Sequence, residues 1–250
     1  MHGVVTLLLN RPEKRNALNK LLIQTLLHSL QEQLANPACR VLVIQAEGTH
    51  FCAGADIAWL RQLSDGADDD GYEETQLLAD LLYQLYHFPK PTLALVQGAA
   101  LGGGLGLIAA CDMALATEDA SFGFSEVMIG LAPSMISPYV LAAIGERAAR
   151  YYFLTGERFS ATEAQRLGLV HQLVAPDALQ NSGMQLVKRL LQNSPQALIA
   201  TKQLIRHVAR EKITENLAQQ TAEHLTTLAS STEGREGLSA FLEKRTPNWE

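Results

Sequence analysis

Glu126 is the residue whose type and surroundings point most directly to proton transfer. It carries the single charge in the stretch from residue 120 to 133, ASFGFSEVMIGLAP. Its apolar neighbours there include Phe122, Phe124, Val127 and Met128. A carboxylate that loses hydration among apolar side chains has a raised pKa, which suits a general acid or base. An exposed glutamate at an edge of the fold would give the same pattern, and the residues alone leave both interpretations open.

Two glycine-containing segments could supply backbone N–H groups to a substrate. They are CAGADI (52–57), after a strand-like run, and GGGLGL (102–107), at a predicted turn from strand to helix. Without Cβ atoms the backbone can approach a ligand, and the first N–H groups of a helix have no acceptor within it. Loops that follow parallel strands meet at one edge of the sheet, where two opposed N–H groups would form an oxyanion hole for an enolate. Tight packing of helix against sheet is the alternative interpretation of the triple glycine.

Other chemistries find little support in the residue pattern. Leu107 stands where a dinucleotide-binding motif needs its last glycine, and no Gly-Lys-Ser/Thr follows for a P-loop. The chain lacks a G-x-S-x-G elbow and an HExxH pair, and Asp68–Asp70 lacks EF-hand spacing, so we expect no metal site. Arg11, Lys14 and Arg15 at a predicted turn are a candidate phosphate contact, although such a trio is also typical of a solvated surface.

Composition narrows the class of protein. The 250 residues are 47% hydrophobic and 18% charged, with a net charge of −6, which is typical of a globular domain and argues against nucleic-acid binding. Pro91 to Cys111 is uncharged and long enough to span a bilayer, but its five glycines predict instead a buried strand that turns into a helix, so we expect no membrane association. Three cysteines without a CxxC pair and an N-terminus without a cleavage-site pattern predict a reducing compartment, the cytoplasm.

The elements that must position these residues alternate strand and helix up to about residue 136 and are mostly helical from Ser137. Apolar runs predict strands at Val4–Leu9, Arg40–Ala46, Pro91–Val96, Met113–Ala116 and, shorter, Phe122–Phe124. Helical spacing of leucines predicts helices near 20–34 and after residue 70, with later ones near 138–154, 160–168, 176–193, 195–209, 213–230 and 232–243. The segments 49–60 and 65–70 are predicted to be loops. The fold class is therefore α/β, with a helical C-terminal part.

Six segments in this order resemble the enoyl-CoA hydratase/isomerase (crotonase) family over essentially the whole chain. They are LNRPEKRNALN (9–19), FCAGADI (51–57), KPTLALVQGAALGGGLGLIAACDMALA (90–116), FGFSEVMIGLAP (122–133), YFLTGERFSATEAQRLGLV (152–170) and EGREGLSAFLEKRTP (233–247). The resemblance implies a crotonase-like spiral of ββα units over 1–190, which holds the CoA and catalytic site. It also implies a C-terminal helical trimerisation region over 191–250, and a homotrimer or a hexamer made of two trimers. Relatives usually begin with one more strand, so the start of this chain is expected to be shortened.

The resemblance also implies the site. Its ligand would be an acyl-CoA thioester, so that coenzyme A is part of the substrate and no separate cofactor is needed. The backbone N–H groups of Ala55 and Gly103 would form the oxyanion hole, and Glu126 would transfer the α-carbon proton. Further substrate-binding positions would be Ala53, Gly54, Asp56, Ile57, Gly102, Gly104, Gly106, Lys14, Arg15, Ser134 and Lys244.

Two departures from the family pattern bear on the reaction. Gly106 stands where the family has its first catalytic glutamate, about twenty residues before the second. Typical hydratases carry Pro-Gly-x-Gly-Gly-Thr where this chain has Ala-Pro-Ser-Met-Ile-Ser-Pro-Tyr (132–139). This form resembles bacterial members assigned to methylglutaconyl-CoA hydration in leucine breakdown or to the related isoprenoid-acid route. We therefore expect hydration of a 2-enoyl-CoA. The alternative is a 3-enoyl to 2-enoyl isomerase, which needs one carboxylate only; RNA binding or a non-catalytic scaffold agrees less well with the charge and with Glu126.

Overall fold

The computed structural model describes residues 2–65, 68–209 and 211–249, without the side chains of 62–71. The strands are Val4–Leu9 (β1), Val41–Ala46 (β2), Thr92–Val96 (β3), Ala99–Leu101 (β4), Met113–Thr117 (β5), Ser121–Gly123 (β6), Phe159–Ser160 (β7) and Gln172–Val174 (β8). The α-helices are Lys20–Ala35 (α1), Ile57–Asp65 (α2), Asp68–His87 (α3), Gly103–Ala110 (α4), Ser137–Thr155 (α5), Ala161–Arg166 (α6), Leu179–Leu191 (α7), Pro195–Val208 (α8), Glu215–Ala229 (α9) and Thr232–Leu242 (α10). Short 3₁₀ turns lie at Pro12–Lys14, Glu126–Ile129 and Pro176–Ala178.

The main sheet is parallel, in the order β1-β2-β3-β5-β8. Its central strands are buried on both faces, as an unbroken apolar run such as VLVI in β2 requires. Val41 and Val43 pack with the residues of α7 on one face, whereas Leu42 and Ile44 belong to the larger core on the other. The carboxyl ends of β2 and β3 therefore lie at one edge of a rigid layer.

A second, three-stranded sheet carries the functional loops. β4 pairs in parallel with β6, with Ala100 opposite Phe122, and β6 pairs antiparallel with β7. An isolated bridge joins Cys52 to Ala100, and the Leu101 N–H donates to the Cys52 carbonyl oxygen at 2.9 Å. This small sheet brings the loop after β2 beside the start of α4 and the start of the segment after β6.

Several predicted boundaries change in the structure. The predicted loop over 49–60 is wrong at its end, because α2 begins at Ile57, where Asp56 Oδ1 accepts the Ala58 N–H at 3.0 Å. The loop predicted at 65–70 is also wrong in part: Asp68–Asp70 form the first turn of α3, and residues 66–67 lie outside the described residues. β4, β7 and β8 have two or three residues each, too few for a periodic pattern.

The uncharged run from Pro91 to Cys111 contains the predicted buried strand and helix, β3 and α4, and also a short strand between them, β4, that was not predicted. Over the residues that the structure describes, none of the helices combines the length and the apolar character needed to cross a membrane.

The last three helices bury little apolar surface within this chain. α8 buries Lys202, α10 buries Ala240, and α9 has no buried residue among those described. The Lys202 ammonium is paired with Asp112 Oδ2 at 2.6 Å and donates to the Lys90 carbonyl oxygen at 3.3 Å, which ties α8 to the start of β5. The division of the chain at residue 190 stays a prediction.

Candidate active site

A cavity of about 110 Å³ lies where the loop after β2, the start of α4 and the segment between β6 and α5 meet. Ala55, Gly103 and Glu126 all line it, as does Ser134. A larger cavity of about 500 Å³ lies between α4, α5 and α8, and Glu126 is not part of its lining. The sequence residues selected for chemistry therefore converge on the smaller cavity.

Two backbone N–H groups of this cavity have no acceptor. Among the hydrogen bonds of the described residues, none uses the Ala55 N–H or the Gly103 N–H as its donor. On either side of Ala55 the backbone is fixed, since Leu18 N–H donates to the Gly54 carbonyl at 2.7 Å and Asp56 N–H to the Leu18 carbonyl at 2.8 Å. Gly103 is the first residue of α4, where N–H groups are free and the helix dipole is positive. Both groups are therefore available to a ligand in this cavity.

Gly102 must be a glycine for two reasons. Its φ of 46° and ψ of −116° lie outside the conformations open to other residues. A Cβ there would also lie 2.8 Å from Glu126 Oε1, closer than real Cβ contacts allow. The Glu126 carboxylate thus lies directly over the backbone that leads into Gly103.

Glu126 begins the 3₁₀ turn after β6 and is only partly accessible. Burial raises the pKa of its carboxyl group above the ordinary value, and a hydrogen bond from its own backbone N–H offsets part of that rise. Oε2 is buried, and no described residue donates a hydrogen bond to it. A carboxylate of this kind is short of solvation and can accept or deliver a proton at a bound substrate.

The source of this desolvation differs in part from the prediction. Phe122 and Phe124 are fully buried, but Val127 is 37% exposed and Met128 is 73% exposed. Other apolar residues that line the cavity with Glu126 are Leu60, Leu78, Leu131, Met135 and Ile136. Sequence reasoning missed them, although the apolar segment that follows Glu126 was a signal for part of the set.

Comparisons with known proteins agree with this geometry. The family model described as enoyl-CoA hydratase/isomerase matches residues 1–250. The chain belongs to the enoyl-CoA hydratase/isomerase family. It is 36% identical to the 2,3-dehydroadipyl-CoA hydratase of Escherichia coli, with 98% of this chain and 94% of the relative covered. It is 35% identical to an enoyl-CoA isomerase/hydratase of Mycosarcoma maydis, with 98% and 92% covered.

Solved structures of enoyl-CoA hydratases have the same fold. The chain matches an enoyl-CoA hydratase of Shewanella pealeana with a TM-score of 0.95 and 42% identity, over 99% of this chain and 92% of that one. The resemblance and the crotonase-like fold expected from the sequence are thereby confirmed.

Within this enoyl-CoA hydratase/isomerase, position 106 has no room for a side chain. A Cβ on Gly106 would overlap the Ile136 Cγ2 methyl, and it would lie 3.1 Å from Ile136 Cβ and 3.3 Å from Leu82 Cδ1. Ile136 falls within the segment that departs from the hydratase pattern. The two departures noted in the sequence are therefore one packing feature, in which an isoleucine fills the space beside a glycine.

The structure places some of the predicted substrate-binding residues on the cavity and others elsewhere. Those on the cavity are Ala53, Gly54, Ala55, Ile57, Gly102, Gly103, Glu126 and Ser134. Gly104 packs against Cys52, and Asp56 pairs with Arg11. The exposed residues Lys14, Arg15 and Lys244 are not part of the lining. Contacts of these residues, and of Gly106, with substrate stay predictions.

Proposed function

We propose that this protein adds water to the double bond of a 2-enoyl-CoA thioester. One observation carries the proposal: the desolvated Glu126 carboxylate lies over Gly102, in a cavity with the unpartnered N–H groups of Ala55 and Gly103. A thioester oxygen that accepts both N–H groups gains negative charge as an enolate, which such donors stabilise. Removing one donor of this kind lowers kcat by about 100- to 1000-fold in other enzymes.

A single carboxylate is sufficient for the proton balance of hydration. Glu126 takes one proton from water while the water oxygen bonds to C3, and the C2–C3 π electrons move onto the thioester oxygen. The resulting enolate then takes a proton from the Glu126 carboxyl group at C2. One water is consumed, the C2–C3 double bond becomes single, and the carboxylate is regenerated.

The size of the cavity suits a small acyl group. The cavity has a volume of about 110 Å³ and a mostly apolar lining, which favours a short acyl group. The similarity of residues 125–140 to methylglutaconyl-CoA hydratases favours 3-methylglutaconyl-CoA as the specific substrate, in leucine breakdown. Since no described lining residue is cationic, we propose that its distal carboxylate lies at the rim beside the exposed hydroxyls of Ser125 and Ser134.

Isomerisation is the second candidate, and the packing of Ile136 against Gly106 favours it. Glu126 is the only carboxylate among the described lining residues, so nothing else there takes a proton from water. An isomerase needs one carboxylate, which removes a proton from C2 of a 3-enoyl-CoA and returns it at C4 as the double bond moves.

Product analysis in heavy-oxygen water separates the two. Crotonyl-CoA, 3-methylglutaconyl-CoA and a 3-enoyl-CoA are offered separately to the wild type, to Glu126→Gln, and to Glu118→Gln, an exposed glutamate outside the cavity. Hydration is supported if the wild type and Glu118→Gln form a product that contains heavy oxygen and Glu126→Gln does not. A shifted double bond without label identifies an isomerase, and turnover that survives in Glu126→Gln refutes both.

We further propose a homotrimer or a hexamer in a reducing compartment such as the cytoplasm. Leu225, Leu238, Phe241 and Leu242 on α9 and α10 are 57–82% exposed in the single chain, which favours their burial by another copy. The three cysteines are free thiols, which fits reducing conditions. Light scattering after size exclusion tests the assembly, with a mass three or six times 27.2 kDa expected.

A further inference from the structure

The loop that carries Ala55 is held by a segment near the start of the chain. The Ala53 N–H donates to the Arg15 carbonyl oxygen at 2.9 Å, and Leu18 forms hydrogen bonds with the residues on both sides of Ala55. Asn16, fully buried, donates through Nδ2 to the carbonyl oxygens of Glu47 at 2.8 Å and His50 at 2.9 Å. The position of the Ala55 N–H therefore depends on the segment 11–18.

Arg11 and Asp56 join that segment to the loop through side chains. Arg11 Nη1 donates to the Ala17 carbonyl oxygen at 2.6 Å, and Nη2 donates to Asp56 Oδ2 at 3.2 Å. The other carboxylate oxygen of Asp56 accepts the Ala58 N–H at the start of α2. Asp56 follows Ala55 directly, so its bonds to Arg11 and to the Ala58 N–H fix the backbone on the C-terminal side of Ala55.

We propose that Arg11 and Asp56 are positioning residues that fix the Ala55 N–H in the oxyanion hole, an inference that rests on the proposed function. Asp56 is absent from the cavity lining, and the Arg11 guanidinium is directed at protein acceptors. The planar guanidinium can serve a carbonyl and a carboxylate at once, in a geometry that an ammonium group does not reproduce. A misplacement of about 1 Å in an active site can lower the rate about 100-fold.

This role differs from the phosphate contact suggested by the basic residues 11–15. A residue that binds a CoA phosphate contributes equally to ground state and transition state, so its loss raises KM and leaves kcat unchanged. A positioning residue for the oxyanion hole acts on the transition state, so its loss lowers kcat and leaves CoA affinity unchanged.

The kinetic test compares Arg11→Gln, Arg11→Lys and Asp56→Asn with Glu13→Gln, an exposed neighbour without an assigned role. We expect kcat to fall about 10- to 100-fold in Arg11→Gln and Asp56→Asn. The kcat of Arg11→Lys should lie between those of Arg11→Gln and the wild type. In all these variants KM and the Kd of free CoA should stay within about threefold of the wild-type values, and Glu13→Gln should match the wild type. Because the two residues act as a unit, the double variant should lose little more than either single variant. A raised KM with unchanged kcat overturns the proposal.

A spectroscopic test separates positioning from a loss of folded protein. Hexa-2,4-dienoyl-CoA is bound to Glu126→Gln, where turnover is blocked, and its absorption should shift to the red as the carbonyl accepts hydrogen bonds. Adding Arg11→Gln, Arg11→Lys or Asp56→Asn should reduce that shift at saturating ligand; an unchanged shift overturns the proposal. If the thioester binds Glu126→Gln with no shift at all, the oxyanion hole itself is absent, and the proposed function fails together with the inference.

Discussion

The packing of Ile136 against Gly106 beside the cavity can be tested by substituting each residue by alanine, alone and together. We predict that Gly106→Ala destabilises the protein, and that it does so by less once Ile136 has been replaced by alanine. The reason is steric: the new Cβ would overlap Ile136 Cγ2 and lie 3.1 Å from Ile136 Cβ. Ile136 is 2% exposed and β-branched, so rotating its methyl away is restricted.

The magnitude follows from two opposed terms. Overpacking of a core costs about 1–3 kcal/mol, whereas glycine to alanine inside a helix contributes about 0.5–1 kcal/mol of stability. Gly106→Ala alone should therefore lower the free energy of unfolding by roughly 0.5–2 kcal/mol. Ile136→Ala leaves a cavity and should lower it by about 2–5 kcal/mol. In that background the overlap with Cγ2 is gone, but the Cβ of residue 136 stays 3.1 Å and Leu82 Cδ1 3.3 Å from the new Cβ. Gly106→Ala should therefore cost less there, giving a coupling of roughly 1–2 kcal/mol between the sites.

Urea denaturation of the four proteins at one protein concentration measures this coupling, since assembly shifts apparent stability. Gly104→Ala is the matched control, because it lies in the same helix but packs against Cys52. Its effect should be the same with isoleucine or alanine at position 136. Equal effects of Gly106→Ala in both backgrounds, within about 0.5 kcal/mol, would show that Ile136 does not occupy the space beside position 106.

Four further predictions concern charge and backbone at the site and beneath α8. Burial raises the pKa of Glu126, and hydration begins with the ionised carboxylate. As the pH is lowered, kcat/KM should therefore fall at a higher pH than it would with a glutamate of ordinary pKa, and a pH profile of kcat/KM measures this. Because the pKa of Glu126 is raised in the folded protein, folding stability is lost as the pH rises from the ordinary glutamate pKa through the raised one. Glu126→Gln should therefore need a higher urea concentration to unfold than the wild type near neutral pH, and it should show no such increase below the ordinary glutamate pKa. Gly102→Ala should lower kcat by about 100-fold, because a Cβ displaces the carboxylate and φ is positive; an unchanged kcat would contradict this. Lys202→Met should lower the free energy of unfolding by about 1–3 kcal/mol, because Asp112 loses its charged partner and, among the described residues, keeps only the hydrogen bonds from Thr92. Lys202→Met with Asp112→Asn should recover part of this loss in urea denaturation.

Four of the five strands of the main sheet could be predicted from the sequence, because each contains a recognisable apolar run; β8, with three residues, could not. β1, β2, β3 and β5 are mostly apolar, and their predicted ends lie within one residue of those observed. The small sheet could not be predicted in the same way. Its strands have two or three residues, and they are defined by partners such as Cys52 and Ala100 that lie far apart in the chain.

The convergence of the candidate site was predicted, but the predicted reason was wrong in part. CAGADI follows β2 of the main sheet, whereas the triple glycine follows β4 of the small sheet, so the two loops do not share the edge of one sheet. The bridge between Cys52 and Ala100 brings them together. Arg11 illustrates a contact that could not be predicted. Its neighbours Lys14 and Arg15 suggested a phosphate contact, yet its partner Asp56 is 45 positions away, and no periodic pattern connects the two.

The filled space beside Gly106 also determines how a one-carboxylate hydration must proceed. With an aliphatic side chain where a second acid would stand, the water and C2 both have to be served by Glu126. Its two oxygens are not equivalent: Oε1 lies over Gly102, while Oε2 is buried and receives no hydrogen bond from any described residue. The proton that one Glu126 oxygen accepts from water stays on that oxygen, and the same oxygen delivers it to C2. Water and proton then reach the same face of the double bond, so this mechanism requires syn addition, and an anti product from hydration in deuterium oxide would contradict it.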